Sequence, residues 1–201
     1  MIRIDKAVVP GVFSLDGQDF DVENNVWLVG DDDEVLVIDA PHDATAIVEA
    51  VDGRRVTAIV LTHGHNDHIT AAVELREATG APVWFNPADR MLWDVVHPDS
   101  APDRDLIEGT TFDVAGTMLV ALHTPGHSPG STCLHAPDLG TVFTGDTLFR
   151  GGPGATGRSF SDHPTIVRSI RERLLTLPGD TVVRTGHGDD TTIDAERATI
   201  S

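Results

Sequence analysis

Cysteine and long apolar runs are nearly absent from this sequence, and each shortage excludes a class of protein. The chain of 201 residues has one cysteine, Cys133, which cannot form an internal disulfide. No run approaches the roughly 20 apolar residues that span a bilayer, and the start Met-Ile-Arg-Ile-Asp lacks a basic leader followed by an apolar stretch. We therefore expect a cytoplasmic protein that does not enter the membrane.

Positive charge is also scarce. The chain has 14 Lys plus Arg against 32 Asp plus Glu, a formal net charge of -18, and Lys6 is its only lysine. Such a chain is repelled by nucleic acid and by anionic membrane surfaces, so neither is an expected partner. No shift in composition divides the sequence, and we expect a single domain over residues 1–201 of unknown oligomeric state.

Histidine, by contrast, is concentrated in residues 61–68, which read Leu-Thr-His-Gly-His-Asn-Asp-His. The candidate metal ligands in this stretch are His63, His65, Asp67 and His68. They follow an apolar run at 58–61 that predicts a short buried strand. Their spacing fits neither one helix face nor one strand face, but it suits a loop that folds back at Gly64. Imidazole and carboxylate are ligands of zinc, iron and manganese, so the loop predicts a site for one or two ions.

The rest of the chain predicts alternating strands and helices. Apolar segments separated by turns predict strands at 7–13, 25–29, 35–38, 58–61, 83–85, 111–114, 118–122, 131–134, 141–144 and 181–184. Apolar residues at helical spacing predict helices over 43–51, 69–78, 87–96 and 164–177. Residues 86–110 are otherwise irregular, and they could form a flap over a site or a surface loop between two halves of the domain.

Three more candidate ligands each follow a predicted strand, in a glycine-rich turn. They are His127 in Pro-Gly-His-Ser, Asp146 in Thr-Gly-Asp-Thr and His187 in Thr-Gly-His-Gly. One such turn alone would be weak evidence, because Gly-His and Gly-Asp turns are common. Together with the first loop they supply enough ligands for two ions that share one carboxylate.

The order Thr-His-x-His-x-Asp-His, then His127, Asp146 and His187, resembles the metallo-β-lactamase superfamily over essentially the whole chain. The resemblance implies an α/β (α+β) fold, a four-layered αββα sandwich with two mixed β-sheets flanked by helices. It also implies two divalent metal ions, with zinc as the expected metal and iron or manganese as alternatives. By resemblance, His63, His65 and His127 hold the first ion, Asp67, His68 and His187 hold the second, and Asp146 bridges them. Asp146 and Asp67 are the expected catalytic residues.

Two adjacent ions predict a hydrolase. They can hold a water between them and lower its pKa toward neutrality, which gives hydroxide as nucleophile while one ion polarises a carbonyl. A thiolate, from a thiol of pKa about 8.5, leaves without a proton, so a thioester needs no separate acid. Position 146 is aspartate, as in glyoxalase II, whereas the β-lactam-cleaving branch with mixed ligands has cysteine there. The block Gly-Asp-Thr-Leu-Phe at 145–149 also resembles glyoxalase II. We therefore expect hydrolysis of a small acyl thioester.

The thiol carrier is less closely defined. Longer glyoxalase II enzymes hold glutathione with a lysine and a tyrosine shortly after this block, whereas here the lysine position is Ala155 and the chain has no tyrosine. Residues 174–183 look like those of short bacterial glyoxalase II-like proteins. We therefore expect a different small thiol, such as mycothiol, with Arg150 and Arg158 as the substrate-binding anion contacts.

Other functions use the same ligands. Asp67-His68-Ile69-Thr70 also resembles persulfide dioxygenases, which share this fold and would bind one iron through His63, His127 and Asp146. Hydrolysis of a lactone, or a metal-binding scaffold without activity, are further alternatives.

Several polar residues lie outside the ligand pattern. His42, His97, His135 and His163 are expected to be surface or packing residues, and Thr62 and Thr147 to fix loops. His123 and Asp39 could each support a ligand, although Asp39 could equally cap a helix.

Overall fold

A long hairpin opens the chain in the computed structural model, which describes residues 1–200. Its strands, β1 (Arg3–Leu15) and β2 (Gln18–Gly30), pair antiparallel along their full length around an Asp16-Gly17 turn in which both residues have positive φ. Both strands extend beyond the predicted segments 7–13 and 25–29. The outer part of β2 carries alternating acids that hide the apolar pattern, but cross-strand backbone pairing does not depend on side chains.

The hairpin belongs to a six-stranded mixed sheet of order β1-β2-β3-β4-β5-β6. The remaining strands are β3 (Glu34–Ile38), β4 (Arg55–Val60), β5 (Val83–Phe85) and β6 (Arg104–Asp105). β2 and β3 are antiparallel, whereas β3 to β6 run parallel. The parallel strands therefore end at the same edge, which is where loops with chemical functions collect in α/β proteins.

A second six-stranded sheet has the order β14-β13-β10-β9-β8-β7. Its strands are β7 (Thr111–Val114), β8 (Thr117–His123), β9 (Thr132–Ala136), β10 (Thr141–Gly145), β13 (Val182–Thr185) and β14 (Thr191–Thr192). Only β10 and β13 are parallel neighbours. A separate two-stranded hairpin consists of β11 (Leu148–Phe149) and β12 (Gly152–Pro153).

Helices cover the outer face of each sheet. They are α1 (Ala44–Val51), α2 (Asn66–Ile69), α3 (Ala72–Thr79), α4 (Arg90–Val96), α5 (His163–Ser169) and α6 (Ile193–Glu196). The helix predicted over 69–78 is in fact two helices, and the one predicted over 164–177 is α5 continued by a π-helical turn at Ile170–Leu174. Asp43 and Asp162 cap α1 and α5 by accepting backbone N–H groups of the first turn.

Three apolar cores separate four layers. Ile47 and Leu75, from α1 and α3, pack on the outer face of the first sheet. Residues such as Leu36 and Phe143 fill the space between the sheets, and Ile166 of α5 packs on the second sheet. Central strands such as β3 and β10 thus bury both faces, which matches their near-continuous apolar sequences. The predicted αββα sandwich of two mixed sheets is confirmed.

Residues 86–110 do not form a flap. They contain a 3-10 turn (Pro87–Asp89), then α4, then β6, which extends the first sheet beside β5. The Trp93 indole is fully buried and its Nε1 donates to the Ser100 carbonyl at 2.8 Å, which fixes the loop after α4. Within residues 1–200, no helix is both long and apolar enough to cross a membrane.

Candidate metal centre

All seven predicted ligands converge at one edge of the sandwich, and each comes from a segment that follows a strand. The first sheet supplies the loop after β4, with His63, His65, Asp67 and His68. The second sheet supplies the remaining three from the β8–β9 loop and the ends of β10 and β13, namely His127, Asp146 and His187. Strand ends place backbone rigidly while leaving the following side chains free to converge, so the site is shared between the two sheets.

Three histidines form one half of the centre, which we call the first half. His65 Nδ1 lies 3.0 Å from His63 Nε2 and 3.0 Å from His127 Nε2. The rings of His63 and His127 meet edge to face with centroids 4.9 Å apart. All three side chains are buried. Three ring nitrogens facing one point is the arrangement that a divalent cation accepts as ligands.

The other half, the second half, consists of Asp67, His68 and His187. His187 Nε2 lies 3.2 Å from His68 Nε2 and 3.3 Å from Asp67 Oδ2. Asp146 stands between the halves. Its Oδ1 is 3.3 Å from His68 Nε2, and its Oδ2 is 3.6 Å from His127 Nε2. One carboxylate therefore faces ligands of both halves.

Hydrogen bonds fix the outer nitrogens of three ligands. The Nδ1 atoms of His68, His127 and His187 each donate a hydrogen bond of 2.8 Å to an oxygen that can only accept. The acceptors are Asp39 Oδ2, the Ala155 carbonyl and the Glu23 carbonyl. When such a ring is neutral, its Nε2 presents a lone pair to the centre. His65 Nε2, Asp67 Oδ1 and Asp146 Oδ1 are buried without a hydrogen-bond partner. The His and Asp cluster thus fits a dinuclear metal site.

The two halves differ in their titration. In the first half, burial, helped by His68, lowers the pKa of His63 well below its ordinary value, and burial together with His127 lowers the pKa of His65 to about 3. In the second half burial acts in the same direction, but Asp146 and the other nearby carboxylates together outweigh it. The pKa of His68 is raised well above its ordinary value, and that of His187 is raised to about 10.

The carboxylates of the second half respond in the opposite direction. Burial alone would raise the pKa of Asp146, but His68 and His187 hold it well below its ordinary value. Burial would also raise the pKa of Asp67, but His68, together with hydrogen bonds from His187 and Asn24, lowers it. Without a cation the second half is therefore held by ion pairs, whereas His63 and His65 of the first half are neutral rings.

Asp39 supports the second half and does not cap a helix. Its Oδ2 accepts from His68 Nδ1, and its two oxygens also accept from the backbone N–H of Thr62 at 2.7 Å and from the Thr62 hydroxyl at 2.9 Å. Asp39 has φ of 65°, a left-handed conformation that turns the chain sharply after β3. Thr62 is thus a loop-fixing hydroxyl, as the sequence predicted.

Asp89 supports the first half, and sequence reasoning missed it. It is fully buried and accepts from Gly64 N–H at 2.8 Å, from Gly130 N–H at 2.5 Å and from the Ser128 hydroxyl at 2.6 Å. It therefore joins the loop of His63 and His65 to the loop of His127. Burial raises the pKa of Asp89, although the three donors oppose this. No local pattern around Pro-Ala-Asp could have indicated this role.

Asn24 is a second missed residue. It is fully buried in β2, and its Nδ2 lies 3.0 Å from Asp67 Oδ2, while His42 Nε2 lies 2.9 Å from its Oδ1. His42, which the sequence assigned to the surface or to packing, thus contacts Asn24, which in turn contacts the ligand Asp67. The available signal was the Asn24-Asn25 pair, since two amides in an otherwise apolar buried strand need polar partners.

The other predicted polar residues form hydrogen bonds outside the ligand cluster. His123 Nε2 lies 2.9 Å from the Pro129 carbonyl and His97 Nε2 lies 2.8 Å from the Ile69 carbonyl, so both rings bond to backbone. Thr147 meets the Thr124 hydroxyl at 3.1 Å, which fixes the loop after β10.

A cavity of about 230 Å³ opens onto the centre. Five ligands, namely His65, Asp67, His127, Asp146 and His187, form its floor, and the other lining residues are Phe13, Val22, Phe149 and Ala155. Phe13 and Val22 come from the β1–β2 hairpin, so the hairpin supplies a wall of the cavity, whereas no residue of 86–110 lines it. The Phe13 ring lies 5.1 Å from that of His65, between centroids.

Arg150 and Arg158 are absent from the residues that line this cavity. Arg150 pairs with the exposed Asp189 at 3.0 Å. Arg158 donates to Gln18 Oε1 at 3.0 Å and lies over the Phe20 ring, 4.7 Å from its centroid. Phe20 in turn stacks with Phe13 at 6.2 Å, so Arg158 covers the outside of the hairpin wall. Both arginines are near the cavity and already have partners.

Sequence comparisons agree with this geometry. Residues 20–187 match the profile of the metallo-beta-lactamase superfamily. The chain is 33% identical over 192 residues to the hydroxyacylglutathione hydrolase GloC of Haemophilus influenzae, spanning 87% of this chain and 90% of that protein. It is 34% identical over 190 residues to the probable metallo-hydrolase YqgX of Bacillus subtilis, spanning 88% and 90%. A hydroxyacylglutathione hydrolase of Cereibacter sphaeroides is 36% identical over 169 residues, with 82% and 62% covered.

Solved structures show the same fold. The B3 metallo-beta-lactamase BLEG-1 superposes with a TM-score of 0.81 at 27% identity, covering 96% of this chain and 98% of that one. TTHA1623 in a di-iron-bound form gives 0.77 at 32% identity, covering 95% and 98%. ETHE1 from Myxococcus xanthus gives 0.73 at 27% identity, covering 95% and 83%. With its ligand order, fold and relatives in agreement, this chain belongs to the metallo-β-lactamase superfamily, among homologues that include glyoxalase II-like hydroxyacylglutathione hydrolases.

Proposed function

We propose that the protein hydrolyses a small hydroxyacyl thioester with two zinc ions as its preferred cofactors. The observation that carries the proposal is the shared carboxylate. Asp146 Oδ2 lies 3.4 Å from His187 Nε2 and 3.6 Å from His127 Nε2, so one aspartate reaches ligands of both halves. Two of the relatives compared above are hydroxyacylglutathione hydrolases, which supports a thioester as the bond cleaved.

The side chains of this protein hold and orient the reacting groups. His63, His65 and His127 would hold one ion, and Asp67, His68 and His187 the other, with Asp146 between them. When bound, two divalent ions would lower the pKa of water enough to supply a nucleophile near neutral pH and would polarise the acyl carbonyl. Asp39 and Asp89 keep the ligand loops in place from behind, which limits reorganisation during the reaction.

The composition of the cavity wall favours a substrate whose leaving group departs without protonation by a general acid. Apart from the ligands, the lining consists of Phe13, Val22, Phe149 and Ala155, none of which carries a titratable group. An amine leaves only after protonation, whereas a thiolate leaves unaided near neutral pH, because thiols have pKa values of about 8.5. The apolar wall also excludes bulk water from the acyl group, which strengthens the electrostatic interactions within the site.

The carrier that we propose is a small thiol other than glutathione, of which mycothiol is an example. Ala155 stands at the position of a glutathione-binding lysine in longer glyoxalase II enzymes, and its carbonyl is used to hold His127. Arg158, beside the hairpin wall, and Arg150, beside the loop of His187, are the cations available to an anionic part of the carrier.

Persulfide oxidation is the second candidate. It is supported by the similarity to ETHE1 from Myxococcus xanthus. In this case His63, His127 and Asp146 would hold one iron, and the remaining four candidate ligands would not coordinate a metal ion.

Metal analysis combined with a substrate panel tests both functions. Purified protein would be analysed for metal per chain and then incubated with formyl and lactoyl thioesters of mycothiol and of glutathione, with a lactone as an oxygen-ester comparison. We expect two zinc ions per chain and release of free thiol, detected with a thiol reagent. One iron per chain with persulfide-dependent oxygen uptake, and no release of thiol from any thioester, would overturn the first proposal in favour of the second.

A further inference from the structure

The Asn24 side chain lies among the ligand atoms of the second half. Its Nδ2 is 3.0 Å from Asp67 Oδ2, 3.3 Å from His68 Nε2 and 3.4 Å from His187 Nε2. These distances are similar to those that the three ligands keep from one another, between 3.2 and 3.5 Å. None of the hydrogen bonds of Asn24 within residues 1–200 reaches a ligand of the first half.

The network determines which end of the amide faces the metal ligands. Asn24 faces Asp67 Oδ2 at 3.0 Å, and a carboxylate oxygen accepts hydrogen bonds, so the atom of Asn24 that faces it is the NH₂ group. The amide oxygen then points the other way, toward His42 Nε2 at 2.9 Å. An oxygen can only accept, so Nε2 of His42 must carry the proton and donate it. His42 thereby fixes the orientation of the Asn24 amide.

The position of His42 is itself prepared by the fold. It follows β3 in a left-handed conformation with φ of 48°, which turns its ring back toward β1. The ring lies directly against Gly11 of β1, where a Cβ atom would overlap the imidazole. Gly11, His42, Asn24 and Asp67 therefore form a continuous line of contacts from β1 to the second half of the centre.

We propose that Asn24, held in orientation by His42, is a positioning residue that sets the affinity of the second half for its metal ion. The N–H of Asn24 keeps the Asp67 carboxylate turned toward His187 and balances part of its charge. Partners of this kind behind metal ligands change affinity by about 10- to 100-fold when removed. The effect should be confined to one ion, because Asn24 touches one half only. This inference does not depend on which reaction the centre catalyses.

A zinc titration distinguishes the two halves. Protein stripped of metal would be titrated with Zn²⁺ against a chromophoric chelator, which resolves two binding steps. His187→Ala identifies the step that belongs to the second half, because that step should disappear. We expect Asn24→Ala to weaken the same step by about 10- to 100-fold and to leave the other step unchanged. The proposal is overturned if both steps are unchanged, or if both weaken equally.

Variants of His42 test how the amide is held. His42→Ala should weaken the step of the second half, by less than Asn24→Ala does, while His42→Gln should restore it because its amide can still donate to Asn24 Oδ1. The matched control is His135→Ala, a half-buried histidine of β9 outside the centre, which should leave both steps unchanged. Equal results for His42→Ala and His135→Ala would show that His42 does not hold Asn24.

Gly11→Ala gives an independent route to the same contact. The added methyl group should displace the His42 ring without removing the imidazole, and it should weaken the same step as His42→Ala. If Asn24→Ala does not fold, as judged by circular dichroism, the His42 and Gly11 variants decide the proposal by themselves. Normal second-step affinity in both His42→Ala and Gly11→Ala would then contradict it.

Discussion

The two halves of the metal centre use similar residues, yet those residues carry different charge. In the first half, His63 and His65 stay neutral because burial lowers the pKa of both rings. The second half contains Asp67 and lies against Asp146, and these carboxylates keep His68 and His187 protonated. A carboxylate within a few ångströms thus reverses the effect of burial on an imidazole. The first half is ready to bind a cation, whereas the second must release protons to do so.

Removal of Asp146 should have the largest effect, because this residue joins the halves. Asp146→Ala should lower kcat/KM by about 100-fold or more and should remove one or both metal ions. Metal content per chain and the rate of thiol release would measure this, with the exposed Asp138→Ala as a control. A variant with normal metal content and turnover would contradict the assignment of a shared carboxylate.

Asp89 sharpens the comparison because it supports the first half only. Asp89→Ala leaves the buried N–H groups of Gly64 and Gly130 without an acceptor, so we expect a loss of about 3 kcal/mol in unfolding free energy. Urea denaturation of the metal-free protein measures this loss. In a zinc titration the step of the first half should weaken more than that of the second. Equal weakening of the two steps would show that Asp89 acts on the whole fold.

The pH dependence of metal binding should differ between the halves. Without metal the pKa of His187 is about 10, so it is protonated at neutral pH, and His68 is protonated as well. From about pH 8 to about pH 6, affinity at the second half should fall about tenfold per pH unit for each proton displaced. The first half should change less, since the pKa of His65 is about 3. Zinc titrations across this range that give parallel slopes for both steps would contradict the comparison.

The smallest effects should come from the two arginines, which lie on opposite sides of the cavity. Arg158 covers the hairpin wall on the side of His65, and Arg150 lies on the side of His187. If the carrier lies over the first half, Arg158→Ala should raise KM about threefold at constant kcat while Arg150→Ala does not, since an exposed ion pair contributes only about 0–1 kcal/mol. The reverse result would place the carrier over the second half. Unchanged KM in both variants would show that the predicted substrate contacts are wrong.

The ligands could be predicted from sequence because each one has a local signature. A strand end followed by glycine and a histidine or aspartate marks His127, Asp146 and His187 as candidates, and its repetition beside the loop at 61–68 predicted that they converge. Supporting residues have no such signature, because their partners are distant in the chain. Asp89 binds Gly130 across 41 positions, and Asn24 binds Asp67 across 43.

The fold was predictable to a similar extent. The strands of the buried core were predicted within a few residues, because apolar side chains on both faces leave a continuous pattern. The cavity wall was not, because its strands are half exposed and Asp19, Asp21 and Glu23 interrupt the apolar alternation. The sequence therefore predicted only the inner parts of the hairpin strands, at 7–13 and 25–29, and left a flap at residues 86–110 as one of two alternatives.

The division of each ligand set between the two sheets has a consequence for how the chain matures. His63, His65, Asp67 and His68 are all in place once the first sheet has formed, yet each half still lacks one histidine from the second sheet. A chain whose two sheets have not docked can therefore offer at most an incomplete set to either ion. Tight binding of both ions would therefore require that the two sheets have docked. Loss of either ion would remove one link between the sheets.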